Sequence, residues 1–154
     1  MSPSVERRLE RLEALEEIRS LAARYGLAVD SRDLVALVAL FVADVAVEDG
    51  TSGREALARW YDPVLRTFGA SFHLTGNHVI DFVDDTHATG VVYCRPEHQV
   101  GEQWVTMPMQ YWDRSERRDG RWLIKSRASM AFYAADALEY PLSRDDRFNF
   151  PGTP

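Results

Sequence analysis

The hydrophobic period of this chain changes once, near residue 70, and that change limits what the chain can fold into. Upstream, apolar residues recur every three or four positions. Leu9, Leu12, Leu15, Ile18, Ala22, Tyr25 and Val29 form one stripe along a helix expected over 5–29, with Glu and Arg on its other face. Ser4 is placed to cap it. Gly26 costs about 1 kcal/mol against Ala in a helix interior and marks a point of close packing. Asp30-Ser-Arg-Asp33 breaks the helix, and Asp33 or Ser31 can cap a second, short one over 34–41. Val45-Ala-Val47 predicts a short strand. Ser52 and Glu55 have capping-box spacing ahead of a third helix, whose stripe runs from Ala56 to Phe68 and which Gly69 ends.

Downstream the period is two. Runs at 71–83, 87–99, 103–117 and 121–132 read as strands, joined at Asp84-Asp85, Gly101 and Asp119-Gly120. The last of these is a strong hairpin signal. Connections this short make neighbours antiparallel. Residues 133–154, with Pro141, Pro151 and Pro154, read as an irregular C-terminal tail. Three helices followed by a meander make an α+β fold, and 154 residues suit a single domain over 1–154. A long antiparallel sheet must curl around its helices to bury both, which gives a cone with an open mouth. Such mouths hold ligands.

Charge and composition narrow the partners. A net charge of −6 disfavours nucleic acid and anionic membrane surfaces. No apolar run approaches the roughly 20 residues of a membrane span. The one cysteine, Cys94, leaves no internal disulfide and fits a reducing, cytoplasmic setting. His73, His78, His87 and His98 lack compact metal-ligand spacing, and phosphate-loop and dinucleotide fingerprints are missing. The expectation is a protein without metal or cofactor that acts on a small molecule through side chains alone.

Two residues stand out for chemistry. Asp30 ends the first helix and His73 opens the first strand run. A histidine oriented by a carboxylate is the simplest general base at neutral pH. On the residues alone the plainer reading has the larger claim, with Asp30 as a turn former and His73 as a core or surface histidine. Strict alternation also sets His73 with Thr75, Asn77 and Asp81, opposite the apolar Phe72, Leu74, Ile80 and Phe82. Either a bulge near Gly76 changes the facing, or the outer apolar face is covered by a second subunit. Tyr25 can donate its phenol proton or simply pack in the core. Arg127 can hold a substrate oxygen or be a solvated strand charge. His98 lies near a turn, where a surface position is the plainer reading. Trp60, Phe68, Trp104, Met107, Met109 and Tyr111 can line an apolar pocket or fill a core.

The order of these pieces resembles the NTF2-like superfamily and, within it, the SnoaL-like group. The carriers are Glu17-Ile-Arg-Ser-Leu-Ala-Ala-Arg-Tyr25, Asp30-Ser-Arg-Asp33, Leu40-Phe-Val-Ala-Asp44, Gly53-Arg-Glu55, His73-Leu-Thr-Gly-Asn77 and Arg117-Arg-Asp-Gly-Arg-Trp122. The pair Asp30 and His73 looks like the branch of scytalone dehydratase, hexachlorocyclohexane dehydrochlorinase and bile acid 7α-dehydratase. The resemblance implies an elimination in which Asp30 orients His73 as base. It implies further roles for Tyr25, five residues before Asp30, and for Arg127 on the last strand. His98 is similar to a second active-site histidine of scytalone dehydratase. With the resemblance the balance at Asp30 and His73 turns towards catalysis. It also implies a homo-oligomer, dimer or trimer, and so favours a covered outer face over a bulge as the answer to the facing of His73. The resulting expectation is a cofactor-independent dehydratase-type lyase for a small cyclic, largely hydrophobic substrate. An isomerase or polyketide-cyclase-type proton shuttle, and a non-catalytic small-molecule-binding module, remain as rivals.

Overall fold

A computed structural model describes residues 4–137. Helix α1 (Val5–Ser31) is capped by Ser4, whose hydroxyl accepts from the Arg7 N–H at 3.2 Å. It ends at Arg32, which takes the left-handed conformation at φ 60°. Helix α2 (Leu34–Ala39) is capped by Asp33, which accepts from the Ala36 N–H at 2.8 Å. Helix α3 spans Arg54–Thr67. Its N-cap is Gly53 at φ 98° with no side-chain cap bond, so the expected Ser52–Glu55 box does not form. Gly69 does not take a left-handed turn after α3; its N–H instead pairs with the Gln99 carbonyl at 2.9 Å. The strand expected at Val45–Val47 reduces to one bridge between Ala46 and Ser52.

Six strands follow: β1 (Ser71–Phe82), β2 (His87–Val100), β3 (Gln103–Thr106), β4 (Met109–Arg118), β5 (Arg121–Ala131) and β6 (Ala135–Ala137). All pair antiparallel. The long β2 is the spine. It carries β1 on one edge and, on the other, β4 along its first half and β3 along its last turn. Pro108, which cannot donate to a ladder, lies where the single run expected over 103–117 splits into β3 and β4. The tail was expected to be irregular, but its start adds β6 to β3. Its remainder lies outside the described residues.

The sheet curves around the helices without closing, an NTF2-like α+β cone. Ile18, Leu21, Ala22, Tyr25 and Val29 of α1 meet Val92, Cys94, Trp122 and Ile124 in the core. Two bulges set which side chains enter it. One lies between Thr75 and His78 in β1, the other at Lys125 in β5, opposite Arg114/Ser115. The first reconciles the conflicting faces of β1. His73 and Thr75 point inward before it, and His78, Ile80 and Phe82 after it. Asn77 and Asp81, expected beside His73, face out. The bulge is therefore present, and Phe72, Leu74 and Val79 are exposed on the outer face as well.

Candidate active site

Helix α1 ends beside the start of β1 because Gly26 allows it. A Cβ there would sit 3.1 Å from the Cβ of His73. This approach brings the Asp30 carboxylate to three donors on β1. It accepts from the His73 ring Nδ1 at 2.6 Å, the His73 backbone N–H at 2.8 Å and the Ser71 hydroxyl at 2.9 Å. An ionised carboxylate can only accept, so Nδ1 carries the proton and the lone pair sits on Nε2. Burial pushes the Asp30 carboxyl up, but the bonds and charge of His73 and the Ser71 hydroxyl outweigh it and hold it below the ordinary carboxylate value. The His73 side chain is 5% exposed.

Arg32 completes the clamp from the other side. Its Nη1 donates to Ser71 Oγ at 2.6 Å, and its Nη2 to the Gly69 carbonyl at 2.8 Å. Ser71 thus accepts from Arg32 and donates to Asp30, so its hydroxyl proton has one direction. The left-handed backbone of Arg32 is what turns the chain back over β1.

His73 faces a cavity of about 250 Å³ between α1, α3 and the inner sheet face. Tyr25, Trp60, Phe68, His98, Met109, Tyr111 and Arg127 also line it. Asp30 stands behind His73. His98 does not lie at the surface. It is 8% exposed on the inner face of β2, stacked on Phe68 at 4.2 Å and edge-on to His73 at 5.4 Å. Burial pulls its pKa down to about 4, helped by the charges of His73 and Arg32, so at neutral pH it is an uncharged imidazole. Its Nδ1 is buried without a partner. His78, expected at the surface or an interface, is turned inward by the bulge.

Trp104 and Met107 are not on the cavity wall. Trp104 pairs with Gln99 in β3, while the neighbouring Val105 takes the place opposite inward-facing His98. Met107 lies in the link between β3 and β4, its N–H bonded to the Pro96 carbonyl at 3.0 Å.

Deeper in the cone, Arg127 is not a solvated charge. Its Nε and Nη2 donate to the two oxygens of Asp113 at 2.7 and 2.6 Å, and both side chains are buried. Its guanidinium carbon lies 4.1 Å from the Tyr25 ring centre and 4.4 Å from that of Tyr111. Burial alone would lower its pKa, but Asp113 more than offsets this and keeps it charged. The Tyr25 and Tyr61 hydroxyls are 3.1 Å apart. Burial raises the pKa of Tyr61 and of Tyr111, so both phenols keep their protons. Burial also raises the Cys94 thiol to about 11, which leaves it an unreactive core residue.

Asp113, Ser71, Arg32 and Tyr61 were not anticipated from sequence. Ser71 was readable, being two residues before His73 and on the same face. Asp113 was not. Counting back from the Asp119-Gly120 turn pairs Arg127 with Trp112, and only the β5 bulge at Lys125 shifts the partner to Asp113. Among the described residues no group of three or more His, Cys, Asp or Glu is placed to hold a metal ion.

A model of the SnoaL-like domain matches residues 10–128. Solved structures with the same fold include a protein from Novosphingobium aromaticivorans provisionally assigned as a scytalone dehydratase. It is 25% identical, with a TM-score of 0.73 over 85% of this chain and 92% of the other. The hexachlorocyclohexane dehydrochlorinase LinA-type3 of Novosphingobium barchaimii LL02 is 22% identical, with a TM-score of 0.76 over 88% and 98%. A Mycobacterium tuberculosis protein of unknown function is 30% identical, with a TM-score of 0.68 over 85% and 76%. No functionally curated protein matches the chain.

Proposed function

The chain belongs to the SnoaL-like domain family, and on that premise we propose that it is a cofactor-independent lyase that eliminates water from a small cyclic, largely hydrophobic substrate. The observation that carries the reading is the His73 ring on the cavity wall with Nδ1 bonded to Asp30 at 2.6 Å. The likeness to a dehydrochlorinase and a provisional dehydratase supports an elimination.

In this mechanism Nε2 of His73 takes a proton from a substrate carbon next to an activating group. Asp30 fixes the tautomer and balances the imidazolium. The C–H electron pair becomes the new double bond as the C–O bond breaks. The departing hydroxide takes a proton from the Tyr25–Tyr61 phenol pair and leaves as water. The proton on His73 then returns to that pair through solvent. Arg127, held charged by Asp113, polarises a substrate oxygen. Trp60, Phe68, Met109 and Tyr111 supply apolar walls, and His98 contacts the substrate as a neutral imidazole.

One observation favours a second reading. His98 stands edge-on to His73 inside the same cavity, and two adjacent imidazoles can pass a proton from one substrate carbon to another. An isomerase would work this way. The test is product mass after incubation with a panel of hydroxylated cyclic ketones. The lyase reading predicts a product lighter by one water. A product of unchanged mass moves the assignment to the isomerase, and no conversion of any compound by a folded protein counts for a binding module.

A further inference from the structure

Helix α1 sorts its charges by side. Glu6, Glu10, Glu13 and Glu17 recur at steps of four, three and four, so they share one side of the helix. Arg7 and Arg11 stand on the other. Arg7 pairs with Asp85 at 3.6 Å, and the Arg11 guanidinium carbon lies 4.0 Å from the Phe82 ring centre. Among the described residues no ion pair neutralises Glu6, Glu10, Glu13, Glu16 or Glu17.

Beside this acidic line runs a groove of about 880 Å³ between α1, α2 and the start of β5. It shares no lining residue with the cavity of His73. Its floor is apolar and buried, with Leu21, Ala28, Trp122 and Leu123. Ala36 and Ala39 of α2 keep it wide, and Leu27 on its α1 lip is 70% exposed. Along α1 it reaches from Glu13 to Ser31, roughly 27 Å at 1.5 Å per residue.

The walls decide what fits. A strand cannot be added here, because the edge of β5 is already taken at this end. The Ile124 N–H donates to the Leu40 carbonyl at 2.8 Å, and the Ile124 carbonyl accepts from the Val42 N–H at 3.0 Å. An occupant must bind through side chains along the length of a helix, as an amphipathic helix does in an apolar groove. Glu13, Glu16, Glu17 and Asp33 stand on the rim against Arg24 and Arg121, so the rim is negative. Glu17 accepts from the Trp122 N–H at 3.2 Å and Asp33 from the Ala36 N–H at 2.8 Å, which leaves Glu13 and Glu16 free for a partner. A second copy of this chain, with its net charge of −6, would bring like charge to this rim.

We propose that the groove docks a basic amphipathic helix of a partner protein. Its apolar row lies on Leu27, Ala36 and Ala39, and its lysines or arginines meet Glu13 and Glu16. The site is separate from the His73 cavity, so the proposal stands apart from the lyase reading.

The test uses the full chain and two labelled synthetic amphipathic helices about 18 residues long, the length that spans roughly 27 Å. Both carry the same leucine row; one has lysine at its polar positions and the other glutamate. Fluorescence anisotropy at low salt reads the binding. The lysine helix is expected to bind at least tenfold more tightly than the glutamate helix, and to weaken as salt rises. The double variant Glu13→Lys, Glu16→Lys changes two exposed side chains and is expected to weaken it at least tenfold. Ala36→Phe, which fills the groove, is expected to do the same. Trp112→Arg, on the outer sheet face, is expected to leave binding unchanged. The proposal is overturned if the lysine helix does not bind, if both helices bind equally, if neither groove variant weakens binding, or if Trp112→Arg abolishes it. A fall in mass by light scattering in Ala36→Phe would assign the groove to a second copy and overturn it too. If one groove variant does not fold, the other still decides.

Discussion

Three hydrogen bonds converge on the Asp30 carboxylate, and Ser71 and Arg32 hold the geometry from behind. General-base catalysis by one positioned side chain contributes roughly 10²–10⁴-fold. Asp30→Asn, which cannot fix the tautomer in the same way, is expected to lower kcat/KM within that range while leaving KM nearly unchanged. Ser71→Ala keeps the pair but loosens it, and a loss of about tenfold in kcat is expected; steady-state kinetics on the compound that turns over reads both. The site also sets a pH dependence of stability. His98 has a folded-state pKa of about 4 against about 6.5 unfolded, so between those values the unfolded chain binds more protons. Stability is then full above about pH 6.5 and falls as pH drops towards 4, by up to about 3 kcal/mol. Urea unfolding across pH 4–7 should show this slope in wild type and a clearly shallower one in His98→Gln. Asp30 acts lower on the scale. Its pKa is lower folded than unfolded, so its contribution is present above the unfolded value of about 3.9 and is lost as pH falls through the folded one. At this scale the sequence told which residues could do chemistry but not their surroundings. Tyr25, His98 and Arg127 all lie on the cavity wall, yet for Arg127 the sequence left a solvated strand charge open beside a site role, because its buried partner Asp113 comes from a bulge.

Elements meet here through small irregularities that periodicity cannot register. The bulge between Thr75 and His78 lets one strand present His73 and, further along, Ile80 and Phe82 to the same interior. Alternation read without it places Asn77 and Asp81 inside. The split between β3 and β4 takes Met107 off the wall for a similar reason, whereas strict alternation already sets Trp104 on the face opposite Met107, Met109 and Tyr111. Gly26 is the opposite case, a residue whose role was visible. A glycine inside a strong helical stripe indicates close approach, and the neighbour proves to be His73 itself. Gly26→Ala gains about 1 kcal/mol of helix propensity, but its methyl must push on a histidine held at both backbone and ring, and overpacking costs about 1–3 kcal/mol. The expected outcome is a change in Tm of only a few degrees with a loss of at least tenfold in kcat. Unchanged activity would mean that the helix–strand spacing does not set the pair.

At the scale of the whole molecule the change of period near residue 70 was enough to place three helices inside a curved antiparallel sheet. The outer sheet face raises the remaining question. Phe72, Leu74, Tyr93, Trp112, Met130 and Phe132 are each 43–57% exposed there. Contiguous apolar surface of this kind marks an interaction site. We propose that copies of this chain associate through it. Light scattering should give a mass that is a multiple of 17.6 kDa, and Trp112→Arg should return it to that value. None of the helices described is long and apolar enough to cross a membrane. The central claim remains that His73 removes a carbon-bound proton inside the cone. The measurement that tests it most directly is kcat/KM of His73→Ala against wild type on the cyclic ketone that loses water. A fall of at least about 100-fold, with the fold intact by circular dichroism, is the predicted result. A variant within about twofold of wild type would contradict the account, because a general base cannot be removed without cost to the step it performs.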